Sequence, residues 1–95
     1  MIDELHWTVL RQGGLSSGIL SDEDRAGYEI ANLVTVEWEG EEEDSFLAVS
    51  RAWGESMALR LAAYYSDPSI TVRVSEVYVD TLEPTGYAED FLARA

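Results

Sequence analysis

The 95-residue chain contains neither cysteine nor lysine. The absence of cysteine excludes disulfides and thiolate metal sites, and it is typical of a cytoplasmic protein. No run of eighteen apolar residues is present, so the sequence predicts no membrane-spanning helix. The opening Met-Ile-Asp-Glu lacks the basic and apolar segments of a signal peptide. We therefore expect one cytoplasmic domain over residues 1–95.

Catalytic motifs are also missing. The chain has no P-loop, no G-x-G-x-x-G and no serine in a G-x-S-x-G context. His6 is its one histidine, and we expect a surface or packing role for it. Asp22, Asp24 and Gly27 match three positions of a calcium-binding EF-hand loop, but Leu33 stands where that loop needs a glutamate. The sequence predicts no enzyme, no cofactor and no metal site.

The most pronounced feature that is present is negative charge. Nineteen acidic residues face six basic ones, all arginine, which gives a formal net charge of −13. A small domain usually carries a net charge of only a few units. Such a field repels nucleic acid and anionic membranes, and it attracts basic surfaces. We expect a basic protein as partner, with no direct binding of nucleic acid or membrane.

One helix is clearly indicated, over about residues 50–66. Trp53, Met57, Leu61 and Tyr64 recur at spacings of four, four and three, which places them on one stripe of a helix. Ser50 is positioned to cap the helix start, and Pro68 ends it. Gly54 is unfavourable in a helix interior, so we expect a neighbouring element to approach there. Two interpretations of residues 45–49 remain open. They either extend this helix or form the second arm of a hairpin, and we favour the hairpin.

The remaining elements are predicted from alternation and turn residues. Period-two alternation predicts strands over residues 4–11, 33–39 and 69–80, with a weaker one over 15–20. A reversal of the alternation near Ser75 and Glu76 indicates a β-bulge. Residues 21–27 are expected to form an exposed loop or one helical turn. Thr85 precedes a predicted short helix over residues 86–94, with Tyr87 and Phe91 four residues apart. The fold class is α+β, a three- or four-stranded, mostly antiparallel sheet with one main helix on one face and a short C-terminal helix.

The acidic run Glu37-Trp38-Glu39-Gly40-Glu41-Glu42-Glu43-Asp44 is expected to form the turn of the hairpin. Alternate residues of a strand lie about 6.6–6.8 Å apart on one face, so Glu37 and Glu39 would space their charges like neighbouring phosphates. The aromatic residues are expected to be core, with either Trp38 or Tyr65 left exposed for a partner. The predicted partner-binding residues are Glu37, Glu39, Glu41, Glu42, Glu43 and Asp44, with Asp22, Glu23 and Asp24 as a second patch.

In its small size, acidity and lack of cysteine and catalytic motifs, the chain resembles the small phage-encoded inhibitors, including anti-CRISPR proteins and other DNA mimics. The resemblance is one of class over the whole chain, and no residue role is transferred from it. It implies a stoichiometric, non-enzymatic inhibitor that occupies the basic groove of a nucleic-acid-processing machine. The alternative is a structural or assembly adaptor, monomeric or homodimeric, whose acidity serves solubility or salt adaptation.

Overall fold

The structure is a computed structural model that describes residues 2–92. A four-stranded antiparallel sheet in the order β2-β1-β3-β4 carries two helices. Two short 3₁₀ turns, Ser16–Gly18 and Arg25–Gly27, precede the first strand. The predicted α+β class is confirmed. In chain order the helices and strands are α1 (Glu4–Gln12), β1 (Ile30–Trp38), β2 (Glu41–Ala48), α2 (Arg51–Tyr64), β3 (Ile70–Tyr78) and β4 (Pro84–Leu92).

The predicted main helix is α2. The Ser50 hydroxyl accepts a hydrogen bond from the Trp53 backbone N–H at 3.2 Å, as expected of an N-cap. Met57 and Leu61 are fully buried. A Cβ at Gly54 would lie 3.1 Å from Val74 Cγ1, so the predicted close approach at this glycine is also confirmed.

Residues 4–11 form the helix α1, and the strand predicted there is wrong. The Asp3 side chain caps the helix by accepting the Leu5 backbone N–H at 2.8 Å. His6, Val9 and Leu10 are buried, at the spacing of one helical face. An alternation of apolar and polar residues over so few positions also fits a strand, so alternation alone does not distinguish the two structures.

The helix predicted over residues 86–94 is wrong as well, because residues 84–92 form the edge strand β4. Residues 93 and 94 of that prediction lie outside the described residues. Tyr87 and Phe91 pack against the main core from one face of the strand. Because both helical and strand periods place residues i and i+4 on the same side, their spacing did not distinguish the two. Pro84 begins the strand, a position where the missing N–H does no harm.

Two other expectations concern β-structure. A register shift does lie near Ser75 and Glu76, between Ser75 and Val77 in the pairing of β3 with β4, but its extra residues belong to β4. The pairing of β3 with β1 is unbroken there, so the expected reversal of faces in this strand is wrong. Val77 and Val79 instead belong to a smaller apolar cluster on the opposite face of the sheet. The weak strand over residues 15–20 is reduced to a 3₁₀ turn and one bridge, in which Ile19 pairs with Ala48. This segment lies along the outer edge of β2, and its bridge leaves less of that edge unpaired.

The core lies mainly between the helices and one face of the sheet. It is built from side chains of both helices and of β1, β2 and β3, among them Val9, Leu10, Val34, Met57, Leu61, Val72 and Val74. A smaller cluster covers part of the opposite face and contains Leu20, Ala31, Leu47, Val77 and Val79. The hairpin of β1 and β2 extends to one end of this body, and its turn contains the acidic residues.

Candidate partner-binding surface

Four exposed carboxylates surround the turn between β1 and β2. Glu39 lies in the turn, and the other three begin β2. The ion pairs of Arg25, Arg51 and Arg73 involve none of these four side chains. Their charge is therefore presented to solvent. We call this set the hairpin carboxylates: Glu39, Glu41, Glu42 and Glu43.

The turn itself has a geometry that glutamate rarely adopts. Glu39 and Gly40 both have positive φ angles, 53° and 85°. Two such central residues are typical of the type I′ turn, whose usual sequence is Asn-Gly or Asp-Gly. The expected strand-like spacing of Glu37 and Glu39 is not found, because Glu39 lies beyond the end of β1.

A β-bulge divides the acidic residues of β2 between the two faces of the sheet. Val36 pairs with Asp44, but Glu37 pairs with Glu42, which leaves Glu43 as the extra residue. Asp44 thus faces the helices, whereas Glu42 lies on the opposite face, directly across from Glu37. The acidic residues therefore lie on both faces of the hairpin and do not form one straight row.

Glu37 forms an ion pair with Arg73. Its side chain is only 19% exposed, and Arg73 Nη1 lies 3.4 Å from Glu37 Oε2. Arg73 also donates to Asp90, at 2.6 Å from Nε to Oδ1. This hydrogen bond lowers the pKa of Asp90, and Asp90 in turn raises the pKa of Arg73. Glu37 therefore adds less free charge to the surface than the hairpin carboxylates do.

Asp44 is buried and serves the fold. It is 6% exposed and accepts three hydrogen bonds. The Asp3 backbone N–H donates at 2.6 Å, His6 Nδ1 at 2.7 Å and the Ser45 backbone N–H at 2.9 Å. Its place in the acidic run suggested a surface contact, but its carboxylate points inward and ties α1 to the hairpin.

His6 connects Asp44 to Tyr65 just after the end of α2. With Nδ1–H donating to the Asp44 carboxylate, Nε2 of the same ring accepts a hydrogen bond from the Tyr65 hydroxyl. Burial raises the pKa of Tyr65, with smaller contributions from Tyr64 and the carboxylates of Asp3 and Asp44. A raised pKa keeps the hydroxyl protonated, whereas a catalytic tyrosine nucleophile or base needs the opposite shift. Of the two roles expected for His6, surface or packing, its 5% exposure agrees with packing and not with a surface position.

A pocket of about 260 Å³ lies beside this network, between α1 and the hairpin. Its apolar wall includes two exposed side chains, Trp38 at 48% and Leu5 at 45% exposure. Asp3 and Glu43 stand at its rim, both exposed and both acidic. Of the two aromatic residues expected to contact a partner, Trp38 is the more exposed, while Tyr65 is partly buried. We call this cavity the Trp38 pocket.

The second predicted patch lies beside the outer edge of β2. Asp22, Glu23 and Asp24 are all exposed. The Ser21 hydroxyl donates to Asp24 at 2.9 Å, and Asp22 pairs with Arg25 at 3.3 Å. A shallow groove of about 410 Å³ is lined by Asp22 together with Ser45, Phe46 and Leu47 of β2. The loop thus shares a groove with the strand that begins with Glu41, Glu42 and Glu43.

Sequence reasoning missed the part that α1 contributes to the site. Asp3, Leu5 and His6 lie beside the hairpin because residues 4–12 are helical. Asp3 before a helical stretch and Glu4 in its first turn are signals of a helix start, and they were available in the sequence. The pairing of His6 with Asp44, 38 residues apart, had no local signal.

Within residues 2–92, no group of three or more histidine, aspartate or glutamate side chains is arranged to hold a metal ion. Over the same residues, neither helix has the length and apolar character needed to cross a membrane. No protein-family model, curated protein or solved structure matches this chain.

Proposed function

We propose that this chain is a non-enzymatic binding protein that acts as a stoichiometric inhibitor in the cytoplasm. Its acidic surface occupies the basic nucleic-acid-binding site of a target protein. The observation that supports this most directly is the exposed set of hairpin carboxylates, free of the ion pairs made by the described arginines Arg25, Arg51 and Arg73. The class resemblance to phage-encoded inhibitors of the anti-CRISPR and DNA-mimic type agrees with this proposal.

The physical basis of the proposal is the electrostatic field of a small protein with a high net charge. A formal charge of −13 accelerates encounter with a basic surface and suppresses encounter with nucleic acid. Lysine and arginine that bind phosphate release condensed counterions, which makes such binding strongly salt-dependent. The exposed hairpin carboxylates offer those side chains an alternative anionic partner.

Two energetically unfavourable features of the hairpin support a functional role for its charge. Glu39 occupies a left-handed backbone position that asparagine or aspartate adopts more easily. Glu42 faces Glu37 directly across the strands, and like charges in such pairs are destabilising. Acidic residues needed only for solubility would be better placed elsewhere. Departures from local sequence preferences of this kind are expected at functional sites.

Affinity capture from the native host with three forms of the protein tests the proposal. The wild type should retain a nucleic-acid-binding protein that added duplex DNA displaces. A hairpin-reversed variant should lose it, whereas a control of equal net charge should retain it. The hairpin-reversed variant is Glu41→Lys with Glu42→Lys and Glu43→Lys, and the control is Glu29→Lys with Asp80→Lys and Glu83→Lys, all exposed.

Salt dependence and inhibition complete the test. If four carboxylates are engaged, binding should weaken about 100-fold between roughly 50 and 200 mM salt, by analogy with phosphate contacts. The captured target should lose DNA binding in a mobility-shift assay at one equivalent of inhibitor. Equal retention by the hairpin-reversed variant, or a flat response to salt, would contradict the proposal.

A second candidate is supported by an apolar surface at the other end of the sheet. Tyr28, Ile30, Tyr78 and Leu82 are each 41–42% exposed there. Tyr28 and Tyr78 line a shallow groove of about 540 Å³. An adaptor or homodimer would bury these side chains. Sedimentation analysis of the wild type and of Tyr78→Ser tests this candidate, because a dimer formed through this surface should dissociate in the variant.

A further inference from the structure

We infer that the Trp38 pocket binds the guanidinium group of one arginine side chain of the basic partner. This inference rests on the proposed function and specifies one contact within it. It depends on three features of the pocket, namely its size, its aromatic wall and its acidic rim.

The size of the pocket suits a side chain. Its volume of about 260 Å³ is below the range of roughly 300–1,000 Å³ typical of small-molecule and cofactor sites. It still exceeds the roughly 30 Å³ occupied by one liquid water several times over. One long side chain that enters from a protein surface is therefore an appropriate occupant.

The wall and rim together select a planar cation. Half of Trp38 is exposed, so its indole ring is open to a cation at the pocket mouth. Asp3 and Glu43, at the rim, provide carboxylates from α1 and from the bulge of β2. Guanidinium stacks on aromatic rings and binds carboxylates through two parallel hydrogen bonds. The ammonium of lysine is more strongly hydrated and lacks this planar geometry, so arginine is preferred.

The pocket is continuous with the acidic surface. Trp38 pairs across the strands with Glu41, and Glu43 belongs both to the hairpin carboxylates and to the pocket rim. A basic partner attracted to the hairpin tip would thus present its side chains directly over the pocket. The hairpin carboxylates supply general attraction, while the pocket distinguishes arginine from lysine.

Calorimetric titration at low salt with two peptides of equal charge, hexa-arginine and hexa-lysine, tests this inference. The wild type should bind hexa-arginine about five- to thirtyfold more tightly, the equivalent of about 1–2 kcal/mol for one cation–π contact. Trp38→Leu should reduce this preference several-fold without weakening hexa-lysine, and only the smaller preference of carboxylates for guanidinium should remain. The control Tyr78→Leu, an exposed aromatic residue on β3, should leave the preference unchanged.

Spectroscopy locates the contact independently. The chain has three tryptophans, and the indole N–H signal that disappears in Trp38→Leu identifies Trp38 in the NMR spectrum. That signal should shift on addition of hexa-arginine. Circular dichroism and thermal melting should confirm that Trp38→Leu folds, as expected for a half-exposed side chain.

The outcomes separate the pocket from the proposed function. If hexa-arginine keeps its full preference in Trp38→Leu, or if both peptides bind the wild type equally, the pocket inference is wrong while the acidic surface stands. If the hairpin-reversed variant binds both peptides as tightly as the wild type does, the proposed acidic contact is wrong as well. If the arginine preference falls in Trp38→Leu and is kept in the control Tyr78→Leu, the result supports the pocket inference and agrees with the acidic contact.

Discussion

Replacing Asp44 by asparagine should destabilise the fold strongly, although it removes one of many negative charges. Asp44 uses both oxygens as acceptors, Oδ2 for the Asp3 N–H and the His6 Nδ1–H, and Oδ1 for the Ser45 N–H. An asparagine amide has one acceptor oxygen and one donor nitrogen. Whichever way it is oriented, its NH₂ group meets at least one of these donors.

The size of the effect follows from the number of bonds lost and their burial. Hydrogen bonds to charged groups contribute about 1.5–3 kcal/mol each, and a buried donor left without a partner adds its own desolvation cost. We expect about 2–4 kcal/mol for Asp44→Asn, since some bonds survive. A 95-residue domain has a total stability of roughly 5–14 kcal/mol. This one change therefore removes a large fraction of the stability.

Urea denaturation followed by tryptophan fluorescence measures this loss. With a slope of about 1–3 kcal/mol per molar urea, the midpoint should fall by roughly 0.7–4 M. The matched control is Glu43→Gln, the same loss of charge on the exposed neighbour, which should change stability by no more than about 0.5 kcal/mol. Self-repulsion alone predicts that either change stabilises the protein. An Asp44→Asn variant as stable as the wild type would refute the buried role of this carboxylate.

Three further predictions test local features of the fold. Glu39→Asn should raise the free energy of unfolding by up to about 1 kcal/mol because asparagine suits the left-handed turn position, and an unchanged urea midpoint would contradict that geometry. Gly18→Ala should cost about 1–3 kcal/mol because the new Cβ would overlap the Trp53 ring, whereas Gly27→Ala, with open space around it, should cost far less. Burial raises the pKa of Tyr65, so its protonated form is favoured in the folded state. The stability linked to this group is complete below about pH 10 and declines as the pH rises further, and Tyr65→Phe should show a shallower decline in urea titrations across that range.

The elements that sequence analysis predicted correctly have several signals in agreement. Helix α2 combines a serine cap, an apolar stripe and a following proline, and β1 has a long alternation. Two errors in assigning elements occurred where one signal was used alone. In α1 the alternation was used without regard to the cap that Asp3 offers, and in β4 the i, i+4 aromatic pair was compatible with either structure. Short amphipathic segments are ambiguous because both periods place some of the same residues on one face.

The position of the acidic hairpin was predictable, but the orientation of its side chains was not. Residues 37–44 do form a hairpin turn and its flanking strands. Which face each carboxylate occupies depends on the bulge at Glu43, and one extra residue reverses the alternation. The Trp38 pocket is less predictable still, since its lining comes from α1, the hairpin and residues 65–70.

The bulge also separates two uses of one acidic run. On its inner side Asp44 is satisfied by three buried donors, so its charge stabilises the fold. On its outer side the hairpin carboxylates include Glu39 in a position that disfavours glutamate and Glu42 opposite another glutamate. If the outer charges served solubility alone, exchanging them for neutral residues should improve the stability of the fold without lowering the affinity for a partner. If they serve binding, the same exchange should raise the stability of the fold and also lower the affinity for the partner. Measuring both quantities on Glu42→Gln distinguishes the two, because solubility predicts no change in affinity while the proposed inhibitor predicts that affinity falls.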